Sequence, residues 1–467
     1  MLKRRGGQLS DMAEILHPTK ALAVNPLKTS QPIGASLAFL GLADSMPLEH
    51  GARGCTSFNK LFFMRHFHDP IALQTTAMDH LVAVMGADAS VVEALATICN
   101  KNRPAVIGLI TTGLSEMQGA DIQRTVAVFR SQFPMHNDVA VIPVATTDTL
   151  GCMESGFARA VEAIITTLVK PGPSVIRHPR RVNVLASAML TPGDVEAVKT
   201  FIAALGLTAI VLPDVADSLD GHLVEEGFST LTYGGTPPSA VAEMGQSAAT
   251  LVIGPSMNKA ADLLRERTGL PDYRFASLIG LDGCDAFCQA LAEIAGCPVP
   301  AIIQRQRDQL QDAMVDCQFQ IGGARVAIAA DADLLCAMTG FFTDMGAEVV
   351  AAVAAGRAAH LADLPIPSVV VGDLEDLEFL AREERADMIV ANSHGAEIAR
   401  RQGTALLRAG FPIYDSYGAH TVTRVGYAGT RQFVFEAANL LAGHYQEIRP
   451  YRSLYWQGTP REDEVTC

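Results

Sequence analysis

The sequence predicts an α/β protein built from three successive strand–helix arrays with mainly parallel sheets. Three observations carry that expectation. Hydrophobic residues make up 49% of the chain but only 6% are aromatic, a usage that suits parallel strands covered by helices on both faces. The 467 residues, at roughly 150 per domain, give a prior of about three domains. Short apolar runs also alternate with helical periods, and the alternation restarts after Pro171-Gly172-Pro173 and again after a long helix over Ile302 to Asp316.

An N-terminal arm over residues 1–18 leads into the first array, residues 19–178. Gly34 to Leu42 is apolar, and Cys55 to Phe67 reads as a helix stopped at His68-Asp69-Pro70. Met78 to Cys99 alternates helical stretches with Gly86. Pro104 to Ile110 is a buried strand, and Ser115 with Gln118 has capping-box spacing that predicts a helix onward through Phe129. Val139 to Val144 is the next strand and Ser155 to Val169 the next helix. The basic run up to Arg181 marks a linker. The second array, residues 179–300, carries strands at Val182 to Ala186, Ala209 to Leu212 and Ala249 to Gly254. Its helices start at Thr191-Pro192-Gly193-Asp194 and at Asp285. The third array with its C-terminal segment, residues 301–467, holds strands at Arg325 to Ala330, Glu348 to Val353, Ser368 to Val371, Met388 to Ala391 and Leu406 to Ala409. In such sheets, sites form at the carboxyl ends of the strands.

A formal net charge of -14 gives no electrostatic support to a nucleic-acid or anionic-membrane role. The basic runs Lys3-Arg4-Arg5 and Arg177-His178-Pro179-Arg180-Arg181 are short. Nine scattered cysteines fit a reducing compartment, and the absence of a signal-like start or a long apolar run predicts a cytoplasmic protein. No Gly-x-Gly-x-x-Gly follows a strand and no P-loop is present, so the usual nucleotide-binding signatures are missing.

Chemistry concentrates at Pro47-Leu48-Glu49-His50-Gly51-Ala52-Arg53-Gly54-Cys55-Thr56-Ser57-Phe58-Asn59-Lys60. Cys55 falls at a helix N-terminus, where unpaired amides and the dipole favour a thiolate. Gly51 and Gly54 keep the approach to sulfur clear. Spacing alone leaves Cys55 as either an inert buried thiol or a ligand. Cys284 and Cys288 share a helical face with apolar flanks and read as core. Cys152 precedes a helix, and His66 and His68 point apart on theirs, reading as polar surface or an interface rim. Asn392-Ser393-His394-Gly395 ends a strand and reads as hydrogen-bonded structure. Common iron–sulfur clusters need about four ligands. If Cys55 is one, the others come from elsewhere in the fold or from another chain, which predicts a subunit interface.

His50-Gly51-Ala52-Arg53-Gly54-Cys55-Thr56-Ser57-Phe58, Arg65-His66-Phe67-His68-Asp69-Pro70 and Thr111-Thr112-Gly113-Leu114-Ser115-Glu116 resemble the nitrogenase component 1 family. So do Asn25-Pro26-Leu27-Lys28, Asp217-Ser218-Leu219-Asp220-Gly221-His222 and Arg408-Ala409-Gly410-Phe411-Pro412. The resemblance spans about residues 14–455 and implies three Rossmann-like α/β domains in an α2β2 heterotetramer. Three cysteines of the catalytic β subunit correspond here to Cys55, Leu73 and Gly113, so only the first is kept. That pattern resembles the β-like subunit of the scaffold on which the iron–molybdenum (FeMo) cofactor of nitrogenase is matured. It implies that Cys55 contributes one ligand to an interfacial [4Fe-4S] cluster shared with a NifE-like subunit, with the cofactor precursor held mainly by that partner. The loops around Gly54, Leu73 and Gly113 would line the cluster pocket. NifH, the reductase component, and cofactor-delivery proteins would be transient partners, and this chain would carry no catalytic residues of its own. The rival readings are a β subunit of a nitrogenase-like oxidoreductase, of the nitrogenase or dark-operative protochlorophyllide reductase type, and a metal-free ligand-binding α/β module.

Overall fold

The computed structural model describes residues 12–20, 23, 25–79, 88–147, 149–223 and 229–444. Lys3-Arg4-Arg5, Gly86, Cys467 and the end of the expected C-terminal segment lie outside the described residues. The strands are β1 Glu14–Leu16, β2 Ser45–His50, β3 Gln74–Thr75, β4 Val106–Thr111, β5 Ala140–Val144, β6 His178–Ala186 and β7 Thr208–Leu212, then β8 Ser247–Ile253, β9 Asp272–Phe275, β10 Arg325–Ala330, β11 Glu348–Ala354, β12 Ser368–Val371, β13 Met388–Ala391 and β14 Ala405–Arg408. They form three sheets, ordered β3-β2-β4-β5, β7-β6-β8-β9 and β1-β12-β11-β10-β13-β14. Every pairing is parallel. Successive parallel strands need a crossover, and the helices between them supply it.

β4 reads Val-Ile-Gly-Leu-Ile-Thr and is buried at all six positions. Its Gly108 is a packing requirement, because a Cβ there would stand 2.3 Å from the Phe39 ring. The neighbouring β2 is also fully buried but is not evident in the sequence, since Ser-Met-Pro-Leu-Glu-His contains a proline and two titratable residues. Burial is tolerated because the Glu49 carboxylate accepts from Ser36 Oγ at 3.1 Å and from Asn59 Nδ2 at 2.7 Å.

Other boundaries move for identifiable reasons. The helix expected from Ser115 to Phe129 is two, Gly113–Gln118 and Ile122–Gln132, separated at Gly119 with φ +76. Thr112 is the cap and Ser115 its reciprocal partner, so the capping box lies three residues earlier than the spacing suggested. Glu14–Leu16, within the expected arm, pairs with Ser368–Val370 as the edge of the third sheet. β6 begins inside the expected basic linker, where Arg180 and Arg181 reach the carbonyl oxygens of Gly206 and Glu243.

The three sheets meet through two helices. Gln31–Leu40 crosses Met153–Leu168 at backbone contact: a Cβ on Gly34 would fall 1.8 Å from Met153 O, and one on Gly156 would fall 2.0 Å from Gln31 O. The first helix ends at Gly41, whose carbonyl accepts from Asp214 N and Thr236 N of the second unit, both at 3.0 Å. The second helix presents Glu154 to the third unit, where Oε2 accepts from Asp333 N at 2.7 Å. Gly156→Ala should therefore lower stability by about 2–3 kcal/mol through overpacking. Gly340→Ala, where a Cβ meets nothing within 4 Å in mid-helix, should raise it by about 0.5–1 kcal/mol. Urea unfolding of the two variants checks both signs.

Candidate functional site

β2, β3 and β4 run in parallel with His50 opposite Thr111 and Glu49 opposite Thr75, so the segments after β2 and β4 emerge side by side. Hydrogen bonds knot them together. Thr76 Oγ1 lies 2.9 Å from His50 Nδ1 and accepts from Gly51 N at 3.3 Å, while Thr112 Oγ1 donates to His50 O at 3.1 Å. Burial lowers the pKa of His50 to about 4, so its ring is neutral at physiological pH. Gly51 is required for close packing: a Cβ would stand 2.3 Å from Thr112 Oγ1.

From this knot the chain enters the helix Arg53–Phe67, with Ala52 as an N-cap that makes no side-chain capping bond. Cys55 is its third residue and is half-buried. The first-turn amides and the positive helix end stabilise an anion there, the form in which a thiol binds metal. The two flanking glycines differ in role. Gly51 is filled by Thr112, whereas Gly54 is exposed and a Cβ there would meet nothing within 4 Å. Gly54 alone keeps the approach to the thiol open.

Of the three family positions, Cys55 is half-buried, Gly113 begins the adjacent helix, and Leu73 is 3% exposed within the main core. Leu73 thus contributes packing, and only its backbone stands near β3. The outer face of the Cys55 helix carries Phe58 at 64%, Leu61 at 47% and Met64 at 46% exposure, with Met117 also exposed on the next helix. On the Cys55 helix, Phe58, Leu61 and Met64 recur every third position and form an exposed apolar stripe.

The opposite face anchors the helix to the third unit. Phe63 and His66 pack on Phe411, Arg65 lies 4.1 Å from the Tyr414 ring centroid, and His66 Nδ1 accepts from Ile413 N at 2.9 Å. This corrects the expectation of His66 as polar surface: it is 7% exposed, and its exposed neighbour His68 takes the left-handed C-cap with φ 62. Nothing in the local spacing foretold a partner that lies 347 residues away.

The remaining candidates are structural in their settings. Cys284 is fully buried, its thiol donates to Leu278 O at 3.2 Å and is pushed up to about 12 by burial, and Cys288 lies beside it in the core. Asn392 accepts from His394 N and donates to Phe411 O, closing the strand-end turn. Between the three sheets lies a cavity of about 100 Å³ bordered by His66, Met153, Asp194, Phe411 and Arg424. No cysteine is among its lining residues.

Parallel sheets in three units, with a helix-borne thiol at the carboxyl end of the first, define a known class of protein. The chain matches the nitrogenase component 1 type oxidoreductase family over residues 30–442 and belongs to it. Among its relatives, the nitrogenase iron-molybdenum cofactor biosynthesis protein NifN of Klebsiella pneumoniae is 46% identical, covering 95% of this chain and 96% of that protein. NifN of Bradyrhizobium diazoefficiens is 41% identical over 96% of both. A solved structure of nitrogenase Cp1 at pH 6.5 superimposes with a TM-score of 0.86 at 29% identity, covering 91% of this chain and 94% of that one.

Burial lowers the pKa of His66 to about 3. A depressed folded-state pKa means that the unfolded chain binds more protons below about 6.5, so this stabilisation is present at neutral pH and declines as pH falls. Between pH 7 and 5, wild type should lose stability relative to His66→Asn, by at most about 1.4 kcal/mol per pH unit. Denaturant melts at the two pH values measure the slope.

Proposed function

We propose that this chain is the β-like subunit of a scaffold complex on which the iron–molybdenum cofactor precursor of nitrogenase is matured, with Cys55 supplying one ligand to a [4Fe-4S] cluster at the subunit interface. The observation that carries the reading is the single thiol on an uncapped helix N-terminus, open on the Gly54 side and adjoined by the exposed Phe58-Leu61-Met64 stripe. The donor set fits a shared group: one thiolate here meets about a quarter of a cubane's requirement, and the apolar stripe suits a protein partner that brings the rest. Membership in the family and kinship to proteins named for cofactor biosynthesis support the same reading.

The partner in this proposal is a NifE-like subunit in an α2β2 heterotetramer, with NifH and cofactor-delivery proteins binding transiently. A bound cluster supplies one-electron transfer between the reductase and the precursor. This chain's own residues hold the arrangement: the His50-Thr76-Thr112 knot sets the helix entry, Glu49 and Asn59 fix its inner face, and the positive end of the helix favours a thiolate at Cys55. The family resemblance implies that the precursor is held mainly by the partner, and the cavity between the sheets of this chain, with no cysteine in its lining and His66 already accepting from Ile413 N, is compatible with that. No described helix is long and apolar enough to cross a membrane, which is compatible with assembly in the cytoplasm. The nitrogenase-like oxidoreductase alternative needs thiols at Leu73 and Gly113, positions that supply a core side chain and no side chain.

Anaerobic co-purification with the partner, with iron quantified and reduced-state EPR recorded for wild type and Cys55→Ala, tests the reading. The expected outcome is an intact complex whose [4Fe-4S] signal is lost or altered in the variant. Unchanged iron and an unchanged spectrum would remove Cys55 from the ligand set.

A further inference from the structure

A second group of metal-ligating side chains lies away from Cys55, where the third sheet meets the other two. Glu154, Asp333 and His360 each offer one ligand atom, and these atoms lie within 4.8 Å of one another. Glu154 begins the helix Met153–Leu168, Asp333 lies in the first turn of Ala332–Asp344 after β10, and His360 follows β11. All three therefore stand beyond the carboxyl ends of parallel strands, where α/β sheets bind ligands.

Asp333 is fully buried and Glu154 is 5% exposed. Among the described residues, His360 alone ion-pairs with these carboxylates, while Asp333 also accepts from Ser256 N at 3.0 Å and from Ser256 Oγ at 2.5 Å. The His360 Nε2 faces Asp333 Oδ1 at 3.1 Å, yet this buried nitrogen is not aligned for a hydrogen bond. Two such atoms in opposition have the geometry of neighbouring ligands.

An independent feature points into the same space. Ser187 is 2% exposed and its Oγ has no hydrogen-bond partner. Ser187 Oγ and Asp333 Oδ2 lie 2.4 and 2.5 Å from the point where a Cβ on Gly254 would stand. With φ +96, Gly254 holds a backbone shape that side chains rarely adopt, and Ser187 and Asp333 close over the place where its Cβ would stand. The buried, unpartnered hydroxyl therefore neighbours the Asp333 carboxylate.

We propose that Glu154, Asp333 and His360, with Ser187 beside them, bind one divalent transition-metal cation at the junction of the three sheets. One imidazole nitrogen with two carboxylates suits Mn2+, Fe2+ or Zn2+ better than Mg2+ or Ca2+, which prefer all-oxygen sets. Bonds of about 2.0–2.2 Å place neighbouring ligand atoms roughly 3–3.5 Å apart, a contraction that side-chain rotation supplies. The cation would bolt the first and third units together and stands apart from the cluster proposed at Cys55.

The full chain, purified with its partner and dialysed anaerobically against chelator, is titrated with Mn2+ while free Mn2+ is followed by EPR, and with Zn2+ by elemental analysis. One ion per chain is expected. Affinity should fall by about tenfold or more in Glu154→Gln and in His360→Asn, and uptake should persist in Cys55→Ala. His360→Asn leaves the Glu154–Asp333 backbone clamp intact, so it decides the matter if Glu154→Gln does not fold. Failure of wild type to take up a stoichiometric ion, wild-type affinity in His360→Asn, or uptake that follows Cys55 would each overturn the proposal.

Discussion

The backbone crossing of Gln31–Leu40 with Met153–Leu168 is the constraint on which the rest of the structure depends. Two glycines let the helices touch along their main chains, with no side chain of either glycine between them. From that contact one helix reaches the second sheet through Gly41 and the other reaches the third through Glu154. The arrangement orients all three sheets with their carboxyl ends toward a common centre. Interiors are close-packed and bistable more readily than compliant, so a shift at the crossing would be felt at every strand end.

The thiol site is assembled from the same economy of atoms. Thr112, Thr76 and His50 bind one another and the backbone, leaving the helix entry rigid. Ala52 caps nothing with its side chain, so the amide charge at the helix start faces outward. Some helix starts elsewhere are closed, as where Thr191 with Asp194 and Asp373 with Asp376 form reciprocal boxes, and others, such as those after Pro300 and Val425, lack a side-chain cap as this one does.

Much of this was legible in the sequence. Continuous apolar runs such as Val106 to Thr111 and Ser368 to Val371 fall where buried parallel strands lie, because periodicity and burial share one physical cause. Cys55 was legible as a helix-start thiol for the same local reason. What escaped depends on distant partners. β2 is polar in sequence, and its Glu49 is acceptable in the core only because Ser36 and Asn59 close on it. His66 reads as surface until Ile413 arrives from the far end of the chain. The Glu154, Asp333 and His360 group is scattered over three elements with no motif spacing. A histidine and lone acids in the segments after strands were its only trace.

The anchoring of the Cys55 helix has a mechanical side. It is fastened near its C-terminal end, by His66 and its aromatic neighbours, to a loop of the third sheet, while Cys55 sits eleven residues back toward the entry that the His50-Thr76-Thr112 knot holds. At a rise of about 1.5 Å per residue that is a span of roughly 16 Å. With the entry tied to the first unit and the C-terminal end tied to the third, the helix bridges the two, and the angle between them bears on where the thiol stands. Any binding event that tilts the third unit is thereby geared to the position of a single sulfur atom at the protein surface.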